Sequence, residues 1–147
     1  MKISHKKLEF QTKDEFDFID LTNEVKKFVN TGQIKNGFVN IQTMHTTAPL
    51  FLNENEPLLL EDFKKHLSQL SPKDAVYNHN DFTRRTINMC DGECQNGHSH
   101  CQALYLPSNL VLNIVDGIIQ LGQWQRIFLV ELDRPRLRKI QVQMLGE

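Results

Sequence analysis

The spacing of apolar positions changes several times along the chain, and each change predicts a different element. From Ile3 to Phe10 apolar residues alternate loosely with polar ones. Strand side chains point to opposite faces at successive positions, so this predicts an opening strand. The spacing then becomes helical: Leu21, Val25, Phe28 and Val29 recur at i, i+4, i+7 and i+8. Asp20 precedes them as a good N-cap, and Gly32 follows where a helix end favours a residue tolerant of positive φ. Gly37 to Thr43 alternates Val39, Ile41 and Thr43 with Asn40 and Gln42, which predicts a strand with one buried face and leaves His45 just past its end. Leu60, Phe63, Leu67 and Leu70 share one face of a second helix, with Pro57 suited to its first turn and Pro72 beyond its end.

Val76 to Gly97 is polar and without periodicity, which predicts a long loop of the kind that is commonly functional. Beyond it strands return at Asn109–Val115, Ile118–Leu121, Gln125–Leu132 and Leu137–Leu145, separated by Asp116-Gly117, Gly122 and Pro135. No repeat, linker or low-complexity tract interrupts the chain. The expectation is one domain over residues 1–147, of the α+β class, with a curved, largely antiparallel sheet forming a sandwich or barrel and two or three helices.

Composition narrows the partners. Seventeen basic residues against 18 acidic ones give a net charge of −1, so no overall field draws nucleic acid or an anionic membrane. No apolar run approaches the ~20 residues that span a bilayer. The opening Met1-Lys2-Ile3-Ser4-His5-Lys6-Lys7 does not lead into the roughly 7 to 15 apolar residues of a secretory signal, so a cytoplasmic location is expected. Cys90, Cys94 and Cys101 are odd in number and confined to one segment, which fits free thiols or metal ligands in a reducing compartment better than a disulfide framework.

His5 lies among lysines and His66 is four residues from Asp62 on a helix, and neither spacing resembles a site. His45, His79 and the pair His98/His100 fall at element ends or in the polar loop, where sites are built on rigid scaffolds. Three neutral imidazoles with an open position make a catalytic zinc site; the alternative is scattered polar loop residues. The segment CDGECQNGHSHC raises a second possibility, a structural zinc knuckle from Cys90, Cys94, Cys101 and His98, against a loop with incidental thiols. Glu54, Glu56 and Asp62 surround the second helix start, where the macrodipole alone favours Glu56. Asp62, beside Phe63 on the flank of the apolar face, is expected to be partly desolvated with a raised pKa. Glu131 interrupts the apolar run Ile127–Leu132 and requires a cation or donors. Arg134, Arg136 and Arg138 follow it and suit either phosphate recognition or a covered sheet edge.

Taken in order, HTTAPLFLNENE (His45–Glu56), Asp62, YNH (Tyr77–His79), GHSHCQA (Gly97–Ala103), LGQWQRIFLVELDRPRLRKI (Leu121–Ile140) and the final LGE resemble the YjbQ family, described as secondary thiamine-phosphate synthases. The resemblance implies a small α+β fold, a homotrimer, and a polar pocket holding a divalent metal or anion. The metal would be zinc, or magnesium alongside a phosphorylated substrate. His45, His79 and His100 would be its ligands. Arg138, with Arg84 or Arg85, would meet the phosphates of a small metabolite. Asp62, Glu54, Glu131 and Gln125 fall on the remaining motif positions as catalytic or orienting groups. The implied reaction joins a pyrimidine pyrophosphate to a thiazole phosphate. A metal-dependent hydrolase or lyase on another small metabolite, and a non-catalytic ligand-binding or stress protein, are the rival readings. The family usually carries a shorter loop before SH, so the Cys90/Cys94 region is a departure.

Overall fold

The structure is a computed structural model describing residues 1–147. Its strands are β1 (Lys2–Gln11), β2 (Phe18–Asp20), β3 (Gly37–Thr43), β4 (Leu50–Asn53), β5 (Asn109–Val115), β6 (Ile118–Ile119), β7 (Arg126–Val130) and β8 (Leu137–Gly146). Its helices are α1 (Thr22–Thr31), α2 (Pro57–Leu70) and α3 (Gly97–Ala103), with a 3-10 turn at Asn78–Asn80. A five-stranded sheet runs β1-β8-β3-β5-β6 and a three-stranded sheet runs β2-β7-β4. Every pairing is antiparallel, so the architecture is α+β with a main curled sheet and a smaller second one.

Strand alternation explains the layering. Val39 and Ile41 of β3 and Ile140, Val142 and Met144 of β8 point inward and are fully buried. In the second sheet the two faces serve two cores. Ile127 and Leu129 join the main core, while Phe128 stacks on Phe51 at 5.0 Å and Phe51 meets Phe63 of α2 edge-on at 5.8 Å. The small sheet therefore separates α2 from the large sheet. This also accounts for why the sequence pattern predicts β7 as a strand but not β4: both are covered on two faces and carry near-continuous apolar runs instead of alternation, and at four residues β4 is too short for such a run to stand out.

Helix ends differ in detail from expectation. Asp20 lies one residue outside the cap position, held by Leu21, yet its Oδ1 still accepts the Thr22 N–H at 2.9 Å. Gly32 has φ −82°, and the left-handed residue is Gln33 at φ 53°. A Cβ at 32 would meet the Met144 methyl, so a larger residue there requires that side chain to swing aside. At the start of α2 the Glu56 carboxylate accepts Leu58 N–H at 3.0 Å and Leu59 N–H at 2.8 Å. No helix is long and apolar enough to cross a membrane.

Candidate functional site

The site begins where β3 stops. The Thr43 hydroxyl donates to the Ala48 carbonyl at 2.7 Å and accepts the His45 N–H at 3.3 Å, which closes a turn and folds His45 back over the sheet. His45 Nε2 then accepts the Lys139 N–H of β8 at 2.8 Å. That bond occupies the Nε2 lone pair, so the neutral ring carries its proton on Nδ1. Burial, and then the nearby Arg138 guanidinium, lower the His45 pKa below its ordinary 6.5, which keeps the ring neutral at pH 7.

The polar loop and α3 bring up the other wall. Gly97 opens α3, and its N–H donates to Asn80 Oδ1 at 2.9 Å. A Cβ at this position would lie 2.6 Å from the Cβ of Tyr77, so only glycine lets the helix sit this close to the 3-10 turn. The close approach sets the rings of His79 and His100 edge to face, 4.7 Å between centroids. Burial, and then His79, lower the His100 pKa. His79 Nε2 is buried with no hydrogen-bond partner, which marks it as a group with unspent capacity.

Three arginine–carboxylate units line or underlie the space between these walls. The Arg138 side chain is 2 % exposed because β8 alternation turns it inward with Ile140, Val142 and Met144. It donates to both oxygens of the fully buried Glu131, with Nε–Oε2 at 2.6 Å, and through Nη2 to the Thr47 hydroxyl at 3.1 Å. Glu131 also accepts the Thr12 hydroxyl at 2.9 Å and the Asp133 N–H at 3.0 Å. Arg136 pairs with Asp133, which accepts Asn96 Nδ2 at 3.0 Å. Arg85 pairs with Glu93 at 3.2 Å and donates to the Asn88 carbonyl at 3.0 Å. The Cys90 thiol and then Arg85 hold the Glu93 carboxyl down to about 2. The cleft so formed has a volume of about 450 Å³, and His45, His79, His100, Arg85, Arg136 and Arg138 all face it.

A model of the UPF0047 protein YjbQ-like family matches residues 6–147. The chain belongs to this family. The UPF0047 protein of Methanothermobacter thermautotrophicus is 33% identical over 147 residues, spanning 100% of this chain and 95% of the relative. The UPF0047 protein YugU of Bacillus subtilis is 27% identical over 96% of this chain and 98% of its own length. The crystal structure of a YbjQ-like protein of unknown function from Sulfolobus solfataricus shares the fold with a TM-score of 0.88 and 33% identity, covering 99% of each chain.

The residues picked out by the YjbQ motifs divide into two groups. His45, His79, His100, Arg85 and Arg138 share the cleft, and Glu131 lies behind it with both carboxylate oxygens spent on Arg138, Thr12 and the Asp133 N–H. Asp62, Glu54, Gln125 and Arg84 do not face it. Asp62 is exposed on α2, so the desolvation expected beside Phe63 is absent: it points off the buried stripe. Glu54 is exposed past β4, Gln125 accepts the Gly122 N–H at 2.8 Å to close a turn, and Arg84 lies near Asp81 at 3.9 Å. Thr47, Glu93 and Asn96 join the cleft although no spacing singles them out as its members, and Arg136, suited by sequence either to phosphate or to a sheet edge, lies in it too. Arg136 follows β8 alternation, but Glu93 and Asn96 come from the aperiodic loop, which carries no positional signal.

A three-histidine metal site does not fit this arrangement. No three His, Cys, Asp or Glu side chains are gathered to hold an ion, and His45 has committed the nitrogen that would bind one. His79 and His100 alone are close enough to share a ligand. The thiols do not form a knuckle either: Cys90 donates to Glu93 at 3.1 Å, Cys94 contacts its own turn, and His98 is buried against Glu15 and Ser99 at 3.2 Å each.

Proposed function

We propose that this cleft binds the phosphate groups of a small metabolite, and that its reaction is of the thiamine-phosphate synthase type. The observation that carries the reading is the convergence of three guanidiniums and three imidazoles on one space of about 450 Å³. In that reaction a thiazole nitrogen attacks the methylene carbon of a hydroxymethylpyrimidine pyrophosphate. The N–C bond forms, the C–O bond breaks, and pyrophosphate leaves with the electron pair. Negative charge grows on the leaving oxygens, so donors fixed beforehand lower the barrier. Arg136 and Arg85 supply N–H groups, and their bonds to Asp133 and Glu93 hold the guanidiniums in place before substrate arrives. Arg138 is held by Glu131 and acts mainly by placing Thr47. His45, with its proton on Nδ1, is a donor rather than a base. A divalent ion carried in with the phosphates would take its protein ligands from His79 and His100 and would neutralise charge on the leaving group.

The reading extends to a cytoplasmic homotrimer. It is supported by free cysteines and by outward apolar side chains on the large sheet, Phe38 at 40% and Val111 at 57% exposure; light scattering of the purified protein gives the mass directly. Activity is tested by incubating protein with the pyrimidine pyrophosphate and the thiazole phosphate and assaying thiamine phosphate by thiochrome fluorescence. Product that disappears in Arg136→Met supports the assignment. Release of inorganic phosphate from generic phosphoesters, with no thiamine phosphate, would replace it by the hydrolase reading.

A further inference from the structure

A second cavity, of about 460 Å³, adjoins the cleft and shares His45, Thr46 and His100 with it. Its chemistry is different. No Asp, Glu, Lys or Arg lines it, and Pro49, Cys101, Ala103, Leu104 and Leu106 give it an apolar wall. Arg85, Arg136 and Arg138 line the first cleft, and no guanidinium lines the second cavity. A phosphate in the uncharged cavity would lose hydration without gaining a cation, and an apolar ring in the arginine cleft would desolvate the ion pairs there. Each compartment therefore suits the part of a ligand that the other rejects.

We propose that the two cavities are one bipartite site, taking a phosphate ester in the arginine cleft and its uncharged ring-bearing body in the second cavity, with His45 and His100 at the junction. The inference rests on the phosphate reading above and adds the substrate class: monophosphate or pyrophosphate esters of an uncharged aromatic or heteroaromatic alcohol.

Titration calorimetry of the full chain with inorganic phosphate and with benzyl phosphate tests this. Benzyl phosphate is expected to bind about tenfold or more tightly than phosphate, as burial of a ring implies. Ala103→Trp, which fills the second cavity, is expected to bring benzyl phosphate to the affinity of phosphate and leave phosphate itself unchanged. Cys101 supplies a readout that needs no substitution, because it lines the second cavity and is a free, half-buried thiol. Benzyl phosphate should slow its alkylation by N-ethylmaleimide, followed by site-resolved mass spectrometry, and inorganic phosphate should not. Phosphate binding with no gain from the benzyl group, or no selective protection of Cys101, overturns the bipartite site alone. No binding of either ligand overturns it together with the phosphate reading.

Discussion

Replacing Arg138 by methionine removes the guanidinium from a site where Glu131 is fully buried and the arginine side chain only 2 % exposed. Met keeps much of the apolar stem, so packing changes little. The carboxylate, however, is left with the Thr12 hydroxyl and the Asp133 N–H as its only donors. Breaking a buried ion pair from one side costs about 3–5 kcal/mol, out of the roughly 5–15 kcal/mol that stabilises a typical domain. At about 2–4 °C per kcal/mol the melting temperature should fall by roughly 10 °C. Replacing both members, Glu131→Met with Arg138→Met, removes the orphaned charge and leaves mainly the buried Asp133 N–H unsatisfied, for about 1–3 kcal/mol. The double variant should thus be more stable than Arg138→Met alone. Urea unfolding followed by circular dichroism at fixed protein concentration measures all four corners of this cycle. Additive costs, or an Arg138→Met variant within ~1 kcal/mol of the parent, would refute the view that Glu131 serves chiefly to hold Arg138.

Acid should weaken the fold through His45 and His100. Their folded pKa values lie below the ordinary 6.5, so between those values and 6.5 the unfolded chain binds protons that the folded chain refuses. Stability is full above 6.5 and falls as pH drops through that window; urea midpoints that stay level from about pH 7.5 to about pH 5 in the parent would contradict this, and His45→Asn should flatten the profile. Glu56→Ala removes the acceptor for two N–H groups at the start of α2 and should cost about 1 kcal/mol in the same unfolding assay. Gly97→Ala places a Cβ 2.6 Å from Tyr77 Cβ, so α3 and the 3-10 turn must part. Phosphate affinity measured by calorimetry should then drop about tenfold, equivalent to ~1.4 kcal/mol, and unchanged affinity would show that the His79–His100 contact does not shape the cleft.

Several features of the protein are local in origin and are legible in the linear chain. Alternation at Gly37–Thr43 and Leu137–Leu145 reports one buried face, and the i, i+4, i+7 spacing of Leu21, Val25 and Phe28 reports α1, because side-chain direction follows from backbone period alone. The motifs containing His45, His79, His100 and Arg138 mark the residues that meet in the cleft. They do not show which neighbouring motif residues stay outside it, since Glu54 and Asp62 differ from the cleft residues only in the direction the folded chain turns them.

What the tertiary structure decides is non-local. The strands β2 and β4 are too short and too evenly covered to carry a period, and only pairing with β7 defines them. The protonated nitrogen of His45 is set by an amide 94 residues away. The Arg138–Glu131 pair depends on which strand face closes over it, and the division between charged and uncharged compartments depends on α3 reaching across to the end of β3. Periodicity constrains a side chain relative to its own backbone. Distance, burial and hydrogen-bond partner arise between segments, so they exist only once the sheets have closed.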